Sequence, residues 1–504
     1  MKDLYLVILL IMAACRMEAQ PFDAQWPIGY STDAPPFEFF GISLLDFSQA
    51  SVETSAFNQE FHPIGMPHGS SFICDENGDL LLMTNGCKVF DRELQIVAGT
   101  DTLSPGITFD THCEQYGSYP AGQTSLLLPE MSNDSVFYIV HKDSELSDIL
   151  LAKISRNLYL SQIARKADGS FYLKDSRLLL NMEMIHGKLT ACINLDGDKW
   201  WTWTADYHSN KIYKYLIGGE EVVEGPFIQE IGDKLSDKIN SGIGQVTFSP
   251  NTELLGMLTT DHEILLYDFN NSTGELSNYR TIEKFTENDT GYGRGLAFSF
   301  DSKLLYLTTV QNLYQIDLSD FSWQHLAFHE SYDEHGWPVT IGKMMLGPDC
   351  RIYIAPGATT FYMHVIHQPN QKGDGCQFEA RALRSPTKIN HAFPNLPMYR
   401  FDGACDSSIV FPVTTAVEPF DPAKEWVKIF PNPADDRLSV QIAGPLTTSE
   451  NLYITDLAGR KMKLIETPIG PSTIEVDVGE MPPGLYFLFF ENGLAPPAKF
   501  VIEP

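Results

Sequence analysis

The residues best suited to bind a metal ion lie in two short acidic turns, at positions 75–79 (DENGD) and 196–198 (DGD). Calcium takes six to eight oxygen ligands, and closely spaced Asp and Asn side chains around a glycine can supply several of them. Neither turn has the spacing of an EF-hand loop, and tight hairpin turns favour the same residues for backbone reasons alone. We therefore expect backbone turns and no cofactor, and we keep Ca²⁺ at Asp75, Asn77 and Asp79 as the alternative.

A second group that could bind a metal is a histidine-rich stretch that contains His325, His329, Glu330 and His335. Two histidines four residues apart share one face of a helix, where both could bind zinc. The order of residues is not His-Glu-x-x-His, however, and the stretch lies between predicted strands. We therefore expect ordinary loop histidines.

The densest aromatic patch of the sequence lies between residues 200 and 215. Trp201 and Trp203 would share one face of a strand and could stack on a sugar ring. Packing between sheets is the commoner use of aromatic side chains. We expect that packing role for the whole patch: Trp200, Trp201, Trp203, Tyr207, Tyr213 and Tyr215.

The sequence contains no Gly-x-Ser-x-Gly motif, no P-loop and no dinucleotide fingerprint. The glycines at 291–295 (GYGRG) do not have the fingerprint spacing. Arg294 is a cation directly before a predicted strand, and a structural salt bridge would account for it. The sequence therefore identifies no catalytic residue, and a non-enzymatic function is favoured.

The elements that position these residues follow a repeated phrase: an apolar alternating run, a polar turn and a second apolar run. Residues 296–318 (LAFSFDSKLLYLTTVQNLYQIDL) show it most clearly, and it recurs with turns near residues 77, 133, 196, 251, 301 and 349. Strands bounded by such turns at a period of roughly 50–60 residues are typical of propeller blades. We predict a β-propeller of about seven blades, with six as the alternative.

Length and composition set the domain organisation. The chain has 504 residues, and residues 4–14 form a short apolar stretch behind Lys2, which predicts a signal peptide over 1–19. Residues 12–15 (MAAC) also resemble a bacterial lipobox. We place the propeller at 20–413, a Pro-containing linker at 414–425 and a second domain at 426–504. The stretch 373–413 is read as irregular, with Ile409–Phe411 lying near the N-terminal strands to complete the ring.

Charge and cysteine content limit the partners. The 35 Lys and Arg against 65 Asp and Glu give a net charge of −30, which repels nucleic acid and anionic lipid. No later segment is long and apolar enough to span a membrane. Export permits disulfides. Removing the signal leaves seven cysteines, so at least one thiol is free or pairs between molecules. Cys74–Cys87 and Cys376–Cys405 are the pairs considered, with buried free thiols as the alternative.

The second domain has six or seven short apolar runs in about 80 residues, which predicts a small β-sandwich. Four motifs in it occur in a fixed order: FPNPA at 430–434, DLAGR at 456–460, MPPGLY at 481–486 and KFVI at 499–502. They resemble those of the type A C-terminal sorting domain of the bacterial type IX secretion system. The residues that carry the resemblance are Pro431, Asn432, Pro433, Asp436, Leu438, Asp456, Gly459, Arg460, Gly484, Tyr486 and Lys499.

This resemblance implies export across the inner membrane by the signal peptide and across the outer membrane through the type IX machinery. The passenger would then be released or attached to the cell surface. The repeat region is similar to WD-repeat-like and TolB-type propellers, on the phrases FSPN at 248–251 and FSFDSKLLYL at 298–307. That likeness implies architecture and little chemistry.

We therefore expect an exported propeller that serves as a binding module for an unknown surface or extracellular ligand. An extracellular hydrolase acting on carbohydrate or lactone substrates is the alternative, and it predicts convergent carboxylates, histidines or a metal in the central funnel. A structural component of a surface complex is the third class, and it predicts an exposed apolar patch.

Overall fold

The computed structural model describes most of the chain apart from its N-terminal segment, several loops and the region between the two domains. The described residues are 21–30, 39–57, 64–66, 69–113, 117, 119, 122–146, 153–237, 244–259, 263–282, 294–333, 336–389, 393–399, 405–412, 427–442, 451–456, 460–466, 473–490 and 498–503. The predicted signal peptide and the predicted linker lie outside them. The chain divides into two compact units. The first comprises residues 1–331 and 339–413, and the second comprises residues 414–504 together with the short segment 332–338.

The first unit is built from antiparallel sheets that follow one another along the chain. Sheets 1 to 3 contain β1 (Gln25–Gly29), β2 (Ile42–Asp46) and β3 (Glu53–Phe57); β4 (Ser71–Cys74), β5 (Leu80–Thr84) and β6 (Val89–Asp91); and β7 (Ser125–Pro129), β8 (Val136–Lys142), β9 (Glu145–Leu146), β10 (Lys153–Arg165) and β11 (Phe171–Ile185). Sheets 4 and 5 contain β12 (Ala191–Ile193), β13 (Trp200–Ala205), β14 (Lys211–Ile217) and β15 (Val223–Glu230); and β16 (Val246–Phe248), β17 (Leu254–Leu258), β18 (Ile264–Asn270) and β19 (Glu275–Ile282).

Sheet 6 contains β20 (Gly295–Phe298), β21 (Leu304–Thr308), β22 (Asn312–Asp317) and β23 (Trp323–Phe328). A two-stranded ladder of β24 (Ser331–Tyr332) and β25 (Pro338–Val339) follows. Sheet 7 contains β26 (Ile341–Leu346), β27 (Ile352–Pro356), β28 (Thr360–Ile366) and β29 (Phe378–Ile389). The helical elements of the described residues are one π-turn, Phe109–Cys113, and two 3₁₀ turns, Leu235–Asp237 and Gly373–Cys376.

The repeated phrase of the sequence forms the same turn in different sheets. In sheet 6 the Ser299 hydroxyl accepts the Leu304 N–H at 2.8 Å, and in sheet 5 the Ser249 hydroxyl accepts the Leu254 N–H at 2.9 Å. Each serine hydroxyl also donates to a turn residue two positions on, at 2.7–2.8 Å. All six turns expected from the sequence connect the first and second strands of a sheet, in sheets 2 to 7.

Neighbouring sheets pack face to face through separate hydrophobic clusters, as the blades of a propeller do. Leu128 of sheet 3 and Trp200 of sheet 4 share one such cluster, and Trp203 of sheet 4 and Met257 of sheet 5 share the next. Further clusters join sheets 2 and 3, 5 and 6, 6 and 7, and sheet 7 with sheets 1 and 2. The first unit is therefore a β-propeller.

The two ends of the propeller segment meet. The hydroxyls of Ser43 in sheet 1 and Thr387 in sheet 7 lie 2.7 Å apart. Val410 pairs in parallel with Ser51, and its carbonyl accepts the Val52 N–H at 2.9 Å. This confirms that residues 409–411 lie beside the N-terminal strands. The number of blades stays a prediction, and seven such sheets lie among the described residues.

Two expectations from the sequence were wrong. The stretch 373–413 is not irregular throughout, because Phe378–Ile389 forms the long outer strand of sheet 7. Exposed polar residues and register shifts against β28 interrupt the apolar–polar alternation by which this strand could be recognised in the sequence. The disulfides are also not the two pairs considered. They join Cys87 to Cys113 and Cys350 to Cys405, while Cys74, Cys192 and Cys376 are free and buried.

The second unit contains two antiparallel sheets with a common hydrophobic core. One consists of β30 (Val427–Phe430), β31 (Arg437–Ile442) and β34 (Thr473–Asp477), and the other of β32 (Asn451–Asp456), β33 (Lys461–Glu466), β35 (Gly484–Phe490) and β36 (Ala498–Ile502). Leu438 and Val476 from the first sheet pack with Ile454, Leu488 and Phe500 from the second. The seven strands agree with the six or seven expected.

Replacing both Cys350 and Cys405 by Ala should lower the free energy of unfolding of the propeller by about 2–4 kcal/mol. The bond closes a loop with a sequence separation of 55, and it ties the first turn of sheet 7 to the segment that pairs with Ser51. Urea unfolding followed by tryptophan fluorescence measures the change. The same comparison after reduction is the control, because the gap between wild type and variant should then close. A gap that persists in reductant would contradict a stabilising role for the bond.

Candidate functional site

The axial channel of the propeller is bordered by a recurring dipeptide, a glycine followed by a polar residue. It occurs at, or within three residues of, the start of the first strand in sheets 2 to 7. The sequence shows it at 69–70, 122–123, 187–188, 244–245, 293–294 and 342–343, and the polar residues are Ser70, Gln123, Lys188, Gln245, Arg294 and Lys343. We call these six residues the rim.

The two glutamines of the rim hold the first strands of other sheets. Gln123 donates to the Val246 carbonyl and accepts the Val246 N–H, both at 2.9 Å. Gln245 does the same with Met344, at 2.9 and 2.8 Å, and also accepts the Leu296 N–H at 3.2 Å. Each side-chain amide therefore acts as a peptide group that pairs with a channel-facing strand edge.

The cationic residues of the rim also bind backbone carbonyls. Lys188 Nζ lies 2.6 Å from the Gly244 carbonyl oxygen and 3.3 Å from that of Leu258. Arg294 Nη1 lies 3.3 Å from the Gly357 carbonyl oxygen. No salt bridge joins Arg294 to another described residue, and the salt-bridge explanation of this residue stays a prediction. A side chain at Gly244 would collide with the Leu258 carbonyl, and one at Gly187 or Gly342 would likewise meet a backbone carbonyl, which explains the glycine at these three positions.

The channel is occupied by the segment 393–399 (FPNLPMY). The Asn395 amide donates to the carbonyls of Ser125 at 3.0 Å and Leu189 at 2.9 Å, and its oxygen accepts from Gln123 at 3.1 Å. The backbone N–H of Asn395 donates to the Ser70 carbonyl at 2.7 Å. Further along, Met398 pairs in parallel with Cys192. We call residues 393–399 the plug.

A cavity of about 70 Å³ remains between the plug and the first strands of sheets 5 to 7. That volume holds only a few water molecules. Its lining includes Gln123, Gln245 and the plug itself, and Asp23 is the one carboxylate among the described residues that line it. The arrangement leaves no room for a sugar or another organic substrate in this cavity.

Burial disfavours the charged form of several basic residues around the rim. Burial lowers the pKa of Lys142 to about 7, with Asp143 opposing the shift. Burial, and then the charge of Arg294, lowers the pKa of Lys343 to about 8. Burial lowers the pKa of His186 to about 3, helped by Lys153, Lys142, Lys188 and Lys343. Lys188 also has a pKa well below its ordinary value, because it is buried and faces Lys343.

In the acidic turn at 75–79, where calcium was the alternative, a carboxylate accepts hydrogen bonds from the turn's own backbone N–H groups. The Asp75 carboxylate accepts the N–H groups of Asn77 at 2.9 Å and Asp79 at 3.1 Å. In the other turn, Asn194 accepts the N–H of Asp198 at 3.0 Å. No group of three or more His, Cys, Asp or Glu side chains suited to a metal ion occurs in the described part of the chain. These turns therefore have the geometry of backbone turns, and calcium at Asp75, Asn77 and Asp79 stays the alternative.

The predicted histidine cluster does not form a joint site among its described members. His325 lies on β23 and not in a loop, so the expectation of a loop histidine was wrong for this residue, and its ring bonds to Asn312 at 3.0 Å. His329 bonds to Ser331 at 2.9 Å and packs against His364, while Glu330 accepts from Gln311. His335 lies outside the described residues.

The aromatic patch packs between sheets, as expected. Trp200 lies in the cluster of sheets 3 and 4, and Trp201 and Trp203 lie in the cluster of sheets 4 and 5. Tyr207 and Tyr215 are buried as well. Because Trp201 is only 5% exposed, it offers no platform on which a sugar could stack.

The motifs of the second unit contact one another. Asn432 donates to the Lys499 carbonyl at 3.4 Å and accepts the Val501 N–H at 2.9 Å, so the opening motif holds the last strand. Asp456 forms two bonds to the Arg460 guanidinium, at 2.7 and 2.6 Å. The Tyr486 hydroxyl donates to the Pro482 carbonyl at 2.6 Å.

The remaining motif residues lie in the core of the second unit, at the start of a strand or in a connection between strands. Leu438 is buried in the core, and Gly484 begins β35. The Asp436 carbonyl accepts the Val478 N–H at 2.8 Å, and Pro431 and Pro433 flank Asn432 in the connection to β31. Gly459 lies outside the described residues.

Together these features define an exported class of protein: a β-propeller that carries a separate C-terminal sorting domain. Residues 428–503 match the family described as "Secretion system C-terminal sorting domain". The C-terminal domain is thus a type IX sorting domain, and the chain is delivered to the cell surface or the extracellular space. No helix among the described residues has the length and apolar character needed to cross a bilayer.

Comparison with solved structures finds propeller proteins at low similarity. The periplasmic gluconolactonase PpgL of Pseudomonas aeruginosa is 11% identical with a TM-score of 0.37, over 90% of this chain and 98% of that one. The Cps50 (Swd1) propeller domain of Myceliophteria thermophila is 12% identical with a TM-score of 0.35, over 65% and 92%. A Lactobacillus plantarum protein is 9% identical with a TM-score of 0.36, over 73% and 97%. Such low scores carry no argument about function. No curated protein matches the sequence.

Replacing Asn395 by Ala should lower the free energy of unfolding by about 3 kcal/mol, because buried carbonyls of two sheets and one glutamine lose their partner. Urea unfolding at neutral pH measures the loss. Asn181→Ala is the matched control, since the Asn181 side chain is exposed and its amide donates to the Asn157 side chain. A loss no larger than that of the control would contradict the role given to the plug.

Proposed function

We propose that this protein is a binding scaffold displayed at the cell surface or released from it. The sorting domain delivers the propeller through the type IX machinery, and the propeller binds a surface or extracellular ligand. The proposed organisation is a signal peptide at 1–19, the propeller at 20–413, a linker at 414–425 and a sorting domain, of β-sandwich type, at 426–504.

The observation that carries the proposal is the plug in the axial channel. In an enzyme that uses its propeller funnel, the channel must admit the substrate. Here the plug occupies that space, and its residue Asn395 is hydrogen-bonded to groups of three sheets. The same hydrogen bonds stiffen the ring, which suits a scaffold that presents loops on a fixed frame.

The hydrolase that acts on a carbohydrate or lactone remains the alternative hypothesis. It would need its reacting groups outside the plugged channel, at the mouth or between loops. Turnover of lactones and of glycosides by the purified chain would support this alternative, and loss of that turnover on blocking the channel mouth would place the site.

Deleting residues 426–504 should abolish export to the surface and medium while leaving the propeller folded. We expect the truncated protein to collect in the periplasm, because the sorting domain is what the type IX machinery recognises. Fractionation and immunoblotting of the native host measure this. Full-length protein with Asn181→Ala is the control and should be exported normally. Undiminished secretion of the truncated chain would falsify the delivery role.

A further inference from the structure

The last described part of the propeller chain, residues 405–411, lies against sheets 1 and 7. The Val410 N–H donates to the Ala50 carbonyl, and the Val410 carbonyl accepts the Val52 N–H, both at 2.9 Å. Ile409 and Phe411 are buried in the core cluster that joins sheets 1, 2 and 7. We call residues 405–411 the closing segment.

The closing segment is joined to the first turn of sheet 7 by the Cys350–Cys405 disulfide and by Arg351. Arg351 Nη1 donates to the Ile409 carbonyl at 3.1 Å and to the Asp349 carboxylate at 2.8 Å. The Asp349 side chain is fully buried, so this ion pair holds the guanidinium in place. Because Cys350 lies between Asp349 and Arg351 in the chain, the disulfide and the ion pair hold the closing segment at one point.

Much of the closing segment is exposed to solvent. Residues 406–408 and Val410 are exposed, and Ile409 and Phe411 are its buried side chains. Ordering a residue costs conformational entropy, which the burial of apolar side chains offsets. Since the closing segment has such burial at two positions, the disulfide decides whether it stays in place, because the bond removes most of the freedom that a released segment would gain.

The two disulfides of the propeller differ in their access to solvent. Cys87 and Cys113 are 1% and 7% exposed and belong to a small buried cluster. Cys350 and Cys405 are both partly exposed. Thiol–disulfide exchange requires a thiolate to reach a sulfur atom of the bond. The Cys350–Cys405 bond is therefore the one that a reductant can attack while the propeller is folded.

We propose that the Cys350–Cys405 disulfide is a redox-controlled latch on the closing segment, opened by an external dithiol reductant. One thiolate of the reductant attacks a sulfur of the pair and forms a mixed disulfide, and the other cysteine leaves as a thiolate. The second thiol of the reductant then attacks the mixed disulfide and becomes part of a cyclic disulfide. Two electrons pass to the protein, and the two thiol protons of the reductant end on Cys350 and Cys405.

Opening the latch leaves the ring itself closed. The hydroxyls of Ser43 and Thr387 join sheets 1 and 7, and the Thr54 hydroxyl donates to the Arg384 carbonyl at 3.1 Å. The plug also stays in place, because Met398 pairs in parallel with the first strand of sheet 4. The change is therefore confined to the closing segment and to the chain that follows it.

The latch sets the length of the connection between the propeller and the sorting domain. With the bond closed, Phe411 is the last described core residue of the propeller, and the connection to β30 consists of residues 412–426. With the bond open, the plug is the last segment held, and the connection consists of residues 400–426. A longer connection gives the sorting domain a longer reach from the propeller. This regulation goes beyond the binding role proposed above and does not depend on it.

Hydrogen–deuterium exchange of the purified full chain, with and without dithiothreitol, tests the latch. Once mass spectrometry shows free thiols at Cys350 and Cys405, exchange at Val410 should become about thirtyfold faster or more, which corresponds to the lower end of the usual stabilisation by a disulfide. Thr387, whose N–H donates to the Ser43 hydroxyl at 3.2 Å, should keep its exchange rate. Unchanged exchange at Val410, or an equal increase at Thr387, would overturn the proposal.

Two double variants separate the latch from other effects of the reductant. With Cys350→Ser and Cys405→Ser, exchange at Val410 should be as fast without reductant as in reduced wild type, and dithiothreitol should change nothing further. The matched control, Cys87→Ser with Cys113→Ser, removes a disulfide but keeps the latch, so Val410 should exchange slowly until reductant is added. Equal rates in the two variants before reduction would contradict the latch.

Access to the bond is tested in the same samples. Circular dichroism shows at which reductant concentrations the protein keeps its fold, and mass spectrometry shows which cysteines are then free. A Cys350–Cys405 bond that stays oxidised until the protein unfolds would also overturn the proposal. If a variant does not fold, the exchange of the wild-type chain with and without reductant decides the outcome.

Discussion

The propeller depends on how the inner edges of its first strands are hydrogen-bonded. The first strand of each sheet has one edge paired with the second strand and another that faces the channel. Buried N–H and C=O groups on that free edge need partners. Gln123 and Gln245 supply side-chain amides to Val246 and Met344, and Asn395 supplies its amide to two more sheets. Side-chain amides that bond to the free backbone groups of the first strands therefore close the channel of this protein.

This solution has an electrostatic consequence. Lysine and arginine at the same rim position also satisfy carbonyls, and burial there lowers the pKa of Lys188 and of Lys343. The acidic surface of the chain keeps it soluble and repels polyanions at long range.

In the sorting domain, too, a few side-chain hydrogen bonds join segments that are distant in the sequence. Its opening and terminal motifs are about 70 residues apart in the sequence, yet the Asn432 side chain bonds to both Lys499 and Val501. The Asp456–Arg460 pair closes the central turn in the same way. Motifs that look like separate signals are thus parts of one folded unit. Changes in them would alter the shape that the secretion machinery meets and not only a linear signal.

The sequence by itself determined the local structure: the strand–turn–strand phrase, its six copies and the four sorting motifs. Period-two alternation and Asp, Ser or Gly turns act over a few residues, so they can be recognised without a fold. It also indicated that residues 409–411 return to the N-terminal strands. It did not reveal the outer strand Phe378–Ile389, which pairs with β28 through register shifts.

Only the tertiary structure decided what lies in the channel. The glycine–polar dipeptides recur at spacings of roughly 50–65 residues and could have been found by aligning the residues before each phrase. Nothing local, however, places Asn395 against Ser125 and Leu189, which are more than 200 residues away. The disulfide pairs and the shared position of Lys188, Arg294 and Lys343 have the same origin. Such contacts form because closing the ring brings distant strand ends to one axis, and no short-range pattern records which residues will meet there.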